Sequence, residues 1–256
     1  MQPIRLNKFL AERIGVSRRE ADELIAAGKV TINGEPAVLG ARLDKNDKVC
    51  YNKKIIPFQT DYLYLAMNKP VGYVCSRRAQ GDAPTIYELL PKEYQKLKTV
   101  GRLDKDSSGL ILLTNDGDFA FQHTHPKFHK EKVYEVELDQ PLEPLHQQMI
   151  SDYGVMLDDG PSKFTVIRGG GRNGSFEGPK TWASAPERPE KEPFDQDPLY
   201  TVILSEGRNR QIRRTFAALG YHVESLHRTT FGPFMLTSLA PGEYELISRE
   251  QIKNVL

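Results

Sequence analysis

The chain predicts an α+β fold: a small helix–helix–sheet module at the front, then a larger body on a mixed, largely antiparallel sheet with flanking helices. Three observations lead there. Two short helical patterns run into short β-branched segments within the first 58 residues. From residue 61 onward, apolar stretches of strand length recur with few long helical patterns between them, which points to α+β rather than to alternating βαβ units. At 256 residues the chain can bury one large or two modest cores.

In the front module, Leu6, Phe9, Leu10 and Ile14 follow helical i, i+3, i+4, i+8 spacing, and Gly15 supplies a stop. Ser17 and Glu20 form a capping box for a second helix that places Ala21, Leu24 and Ile25 on one face and ends at Gly28. Val30–Ile32 reads as a strand, with Asn33-Gly34 as a tight hairpin turn. Residues 52–60 close the module and lead into a linker. Residues 1–60 carry 11 Lys/Arg against 7 Asp/Glu, and the remainder 24 against 27, so the basic excess sits at the front of a chain whose net charge is +1. Arg5, Lys8, Arg18, Arg19 and Lys29 surround the helix pair. By charge alone they make either a solvated basic face or a phosphate-binding one.

In the body, Tyr62–Met67 reads as a strand, interrupted at Lys69-Pro70 and resumed over Val71–Cys75. Ile86, Leu89 and Leu90 suggest a short helix. Leu110–Leu113 is a continuous apolar run suited to a strand buried on both faces, and Asn115-Asp116-Gly117 reads as a turn after it. Val133–Leu138 alternates as a half-buried strand, and 143–153 reads as a helix. Further strands are expected at 164–167, 200–204 and 222–226, a last strand after 239–244, and a closing helix from 249. Arg208–Leu219 reads as a helix with Ile212, Phe216 and Leu219 as its buried stripe; Arg213 lies at the edge of that stripe. Residues 169–198, rich in Gly, Pro and charge, read as a flexible insertion in which Trp182 anchors to the body.

Several function classes drop out. No apolar run is long enough to span a bilayer, and the N-terminus lacks a signal-peptide apolar region. Two cysteines, Cys50 and Cys75, do not make a disulfide framework, so a reducing cytoplasm is expected. No phosphate-binding or dinucleotide glycine motif is present, and no serine sits in a nucleophile elbow. His123, His125 and His129 are close in sequence, but without a cysteine pair they read as an exposed loop rather than a metal site.

The central candidate is Asp104, on the loop feeding the 110–113 strand. A rigid strand behind an acidic loop is a good mount for a catalytic carboxylate. Spacing alone fits equally an acid paired with Arg102 or Lys105 for structure. Here the motifs add information. Gly101-Arg102-Leu103-Asp104, Ser108-Gly109-Leu110 and Leu112 to Gly117 resemble the signature of the RsuA family of RNA pseudouridine synthases. Asn68-Lys69-Pro70-Val71-Gly72, Lys132-Val133-Tyr134 and Gly207 to Arg214 resemble its other motifs, in the same order. Arg5 to Leu10, Ser17-Arg18-Arg19 and Gly28 to Gly34 resemble the alpha-L RNA-binding module.

The resemblance implies an RNA-binding module at 1–58 and a pseudouridine synthase domain at 61–256. It implies Asp104 as nucleophile, Arg213 as its ion-pair partner and Tyr134 as the platform for a flipped uracil. Arg102 would support the flipped state, and Arg208 and Arg210 join the module's cations as RNA contacts. The implied partner is RNA, ribosomal RNA in particular, with no cofactor, no metal, no DNA or membrane partner, and a monomer as the expected state. A non-catalytic RNA-binding or ribosome-assembly factor and a base-releasing glycosidase are the competing readings.

Overall fold

The computed structural model describes residues 3–58, 61–77, 81–169 and 198–253. The front module runs through β1 (Ile4–Arg5), α1 (Leu6–Arg13), α2 (Arg18–Ala26), β2 (Val30–Ile32), β3 (Glu35–Pro36), β4 (Arg42–Leu43), β5 (Val49–Tyr51) and β6 (Lys54–Ile56). Local signals build it. Ser17 Oγ accepts the Glu20 N–H, and the Glu20 carboxylate accepts the Ser17 N–H in return, so α2 starts where two orphan amides are satisfied. Asn33 and Gly34 both adopt positive φ, 53° and 95°, which twists the β2–β3 hairpin the right way. Leu6, Phe9, Leu10, Ala21, Ile25, Val30 and Val49 close the module's own core.

The body continues with β7 (Tyr64–Lys69), β8 (Lys98–Val100), β9 (Ser108–Thr114), α3 (Gly117–Thr124), β10 (Lys132–Leu138), α4 (Pro144–Gln148), β11 (Val155–Leu157), β12 (Gly160–Ser162) and β13 (Thr165–Arg168). It ends with β14 (Leu199–Leu204), α5 (Gln211–Ala218), β15 (Val223–Phe231), β16 (Phe234–Met235), β17 (Tyr244–Leu246) and α6 (Arg249–Lys253). Among the described residues, nine strands form one sheet in the order β13-β14-β10-β15-β9-β7-β17, with β16 on β15 and β8 on β9. Every pairing is antiparallel except β9 with β15, where Ser108 faces His227 and Gly109 faces Arg228. Leu110 to Leu113 of β9 are all buried, with Ile111 and Leu113 in one core layer and Leu110 and Leu112 in the other. The mixed α+β architecture is therefore the one expected.

Some local expectations give way. Asn115-Asp116-Gly117 ends the strand as expected but without a positive φ: Asp116 Oδ1 accepts the N–H groups of Asp118 and Phe119, so the bend leads straight into α3. His123 consequently lies on a helix, only 2% exposed and stacked on Phe119, rather than on an open loop; His125 and His129 are exposed as expected. Val71–Cys75 does not resume the strand, because Gly72 turns at φ 92° and only Val74 bridges across, to Thr85. Ile86–Leu89 is a single 3-10 turn, and the expected helix at 143–153 passes from α4 into a π-helical turn at Met149–Tyr153. Residues 170–197, with Trp182, lie outside the described residues. Among the described residues, no helix is long and apolar enough to cross a membrane.

The module packs on the body through α3. Lys8 Nζ donates to Asp118 Oδ1 at 2.6 Å and lies 3.9 Å from Glu12. Lys98 Nζ donates to the Val16 carbonyl at 3.1 Å.

Candidate active site

Asp104 sits on a loop that is fastened from several sides. The Ser107 N–H donates to the Asp104 carbonyl, and the Gly72 N–H donates to the Lys105 carbonyl at 2.8 Å. Lys69, fully buried, donates through Nζ to the Ser107 carbonyl at 2.5 Å and the Pro70 carbonyl at 3.0 Å. Burial pulls the Lys69 ammonium below the ordinary lysine range. The Cys75 thiol donates to the Leu103 carbonyl and accepts from the Leu103 N–H. Gly109 sets the height of this loop against β15. At φ 103° it lies in a region that side chains rarely enter, and a Cβ there would come within 2.2 Å of the Arg228 carbonyl oxygen. Only glycine lets β9 approach β15 this closely.

The Asp104 side chain is 32% exposed and lies on the wall of a cleft of about 380 Å³. Arg102, Lys132, Tyr134, Arg208, Arg210 and Arg228 share that wall. Tyr134 is buried on β10, packed into the core on one side and open to the cleft on the other.

The acidic loop meets the start of α5. Arg210, in the left-handed region at φ 46°, turns its guanidinium back over the loop. It grips Asp106 with both terminal nitrogens, at 3.0 and 2.7 Å, and its Nη1 lies 3.8 Å from Asp104 Oδ2. Arg213 was expected to pair with Asp104, and the structure corrects this. Its Nη1 donates to the Val223 carbonyl at 2.6 Å, its Nη2 to the Asp106 backbone carbonyl at 2.8 Å, and its Nε lies 3.4 Å from Asp106 Oδ2. Those two backbone acceptors draw Arg213 to Asp106, and Arg210, one turn earlier, becomes the cation nearest Asp104. The Arg210 fork holds the Asp106 carboxyl below the usual carboxylate range, with Arg213 adding to the effect.

The remaining candidates divide. Arg208 is tied to the β11–β12 hairpin, donating to Asp159 Oδ1 at 2.9 Å and to the carbonyls of Asp159, Gly160 and Pro161. Lys8 is engaged where the module meets α3. Arg102, Arg5, Arg18, Arg19 and Lys29 are exposed.

Two further cations line the cleft: Lys132, which the Lys132-Val133-Tyr134 motif marks without giving it a role, and Arg228, which carried little sequence signal. Lys132 Nζ donates to the carbonyls of Lys130 and Glu206, and burial beside Arg228 brings its pKa down to about 8. Arg228 is 2% exposed, donates through Nε to the Leu110 carbonyl and stacks its guanidinium 4.8 Å from the Phe231 ring. The available hint was its position two residues from Leu226, on the same face of β15.

Known proteins resemble this chain over nearly its whole length. A family model described as RNA pseudouridylate synthase matches residues 63–218, and an S4 domain model matches residues 4–55. Ribosomal small subunit pseudouridine synthase A of Pasteurella multocida is 37% identical, covering 97% of this chain and 98% of that relative. Ribosomal large subunit pseudouridine synthase B of Pseudomonas aeruginosa is 34% identical, covering 97% of this chain and 60% of that relative. A solved crystal structure of pseudouridylate synthase is 31% identical, with a TM-score of 0.64, covering 99% of this chain and all of the other. A braced aspartate on a basic cleft, carried by this mixed sheet behind an S4 module, thus has a family: the chain belongs to the RNA pseudouridine synthases.

Proposed function

We propose that the protein isomerises a uridine of ribosomal RNA to pseudouridine, flipping the base into the cleft and attacking the nucleotide with the Asp104 carboxylate. The observation that carries the reading is the fixed, part-exposed Asp104 carboxylate on the cleft wall, with the Arg210 guanidinium 3.8 Å away. A preset loop spends no energy on ordering at the moment of reaction. The relatives are named for ribosomal subunits, which supports ribosomal RNA as the substrate class.

The target uracil is stacked in RNA and must leave the stack to be reached. Tyr134 offers it a ring face, and Arg102, exposed at the mouth, is placed to support the flipped state. Asp104 forms a covalent bond to the nucleotide as the N1–C1′ bond breaks and its electron pair passes to the uracil. The ring turns, C5 bonds to C1′, the carboxylate is released, C5 gives up its proton and N1 gains one. Product and substrate have the same atoms, so the reaction consumes no donor and needs no redox cofactor. Arg213 acts here through the loop: it holds the Asp106 backbone and so the turn that begins at Asp104. The exposed cations Arg5, Arg18, Arg19 and Lys29 suit phosphate oxygens and position the RNA without reading bases. We place the reaction in the cytoplasm, carried out by a monomer.

The test is Asp104→Asn. Pseudouridine, measured in ribosomal RNA incubated with the protein, should disappear, while the melting temperature and RNA affinity stay close to the parent's. Turnover retained in that variant refutes the nucleophile, and release of free uracil would make the protein a glycosidase.

A further inference from the structure

We propose that Phe121, His125 and Phe128, with Lys127 lying over the two phenylalanine rings, form a stacking platform for the single-stranded RNA that flanks the target uridine. The inference rests on the RNA-modifying reading and adds a second binding surface beside the cleft.

The outer face of α3 is unusual. Phe119 and His123 point inward and are buried, whereas Phe121 and His125, on the opposite side of the helix, face solvent. Phe121 is 46% exposed and Phe128 37%. Isolated exposed apolar residues are ordinary, but a contiguous aromatic patch is not. Phe121 and Phe128 meet edge to face with centroids 5.8 Å apart, and His125 lies 4.8 Å from Phe121. Lys127 Nζ lies 5.2 Å from the Phe121 centroid and 4.7 Å from that of Phe128. Among the described residues, no carboxylate lies within 4 Å of that ammonium.

Two features choose RNA as the occupant. Every base offers a π face, and an aromatic patch joined to an unneutralised cation meets both halves of a nucleotide, base and phosphate. The patch is also continuous with the cleft, because Thr124, His125, Pro126 and Lys130 line its wall. A strand whose uridine enters the cleft therefore passes along these rings.

The experiment uses the full chain and a fluorescein-labelled, single-stranded 20-nucleotide oligouridine, read by anisotropy. Phe121→Ala with Phe128→Ala should raise Kd by about fivefold or more, the lower end of what one lost base stack costs. The salt dependence of binding should keep its slope, since no phosphate contact has been removed. Phe121→Tyr with Phe128→Tyr, which keeps the ring faces, should retain affinity; the matching Leu pair, which keeps apolar bulk without a ring, should lose it. A Kd within twofold of the parent in the Ala pair overturns the proposal and leaves the patch to a protein partner. Equal binding by the Leu and Tyr pairs overturns it as well. Pseudouridine formation is scored separately: if the parent makes none but the Ala pair still loses oligouridine affinity, the platform stands and the isomerase reading falls.

Discussion

Replacing Gly109 by alanine should damage the protein more than any surface change. The added Cβ would lie 2.2 Å from the Arg228 carbonyl oxygen and 2.5 Å from its amide nitrogen, both backbone atoms that no rotamer change can move. The backbone at φ 103° adds its own penalty for any side chain, of order 1–3 kcal/mol. Forcing two paired strands apart adds about 1–3 kcal/mol more, the usual cost of overpacking. A total of roughly 2–6 kcal/mol should lower the melting temperature by about 4–24 °C for a chain of this size. Thermal unfolding followed by circular dichroism measures it directly. Because β9 carries the Asp104 loop, isomerisation at a temperature where the variant is still folded should also fall. A variant that melts within about 2 °C of the parent would show that the β9–β15 approach is not set by this residue.

Two further outcomes come from the site's charges. Asp106→Asn removes the carboxylate that holds the Arg210 fork and leaves Arg213, 11% exposed, with backbone acceptors alone. Arg210 is then free to swing onto Asp104, and kcat should fall about 10- to 100-fold, as small displacements of reacting groups do; single-turnover kinetics at saturating RNA would detect it, and an unchanged rate would exclude a role for the fork. Lys132 carries a depressed pKa of about 8 against an ordinary 10.5, so below pH 8 the folded state bears the full cost of its part-buried ammonium. Between about 8 and 10.5 the unfolded chain keeps a proton that the folded chain has released, and stability contributed by this residue rises. Lys132→Met should therefore gain stability at pH 7, about 1–2 kcal/mol after discounting for solvent screening, and the gain should vanish near pH 10 in urea unfolding.

What the sequence made legible were features encoded by neighbours. The capping box of Ser17 and Glu20, the Asn33-Gly34 turn and the 110–113 run each depend on a few adjacent residues, and each formed as expected. Asp116 shows the limit of such signals. An Asn-Asp-Gly string serves a turn or a helix N-cap equally well, and the residues downstream of it decide. With Phe119 and Phe121 on opposite faces, α3 has no clean amphipathic stripe to announce it. Within the site, Asp104 was legible through its motif, but its cation neighbour was not. The choice of Arg210 over Arg213 turns on a left-handed backbone at Arg210 and on the Val223 and Asp106 carbonyls, which only the folded chain brings near. Arg228 was hidden for the same reason: its acceptor, the Leu110 carbonyl, lies across the sheet's one parallel pairing.

That parallel pairing also orders events in time. Ribosomes extend chains from the N-terminus at about 5–20 residues per second, so the stretch from the end of β6 to the end of β15 needs roughly 10–35 s more to emerge. The front module can close its own core early in that interval, while β9 waits for a partner strand made near the finish. A nascent chain thus owns its docking surface well before it owns a working centre, and a fragment ending before Val223 should keep the first and lack the second.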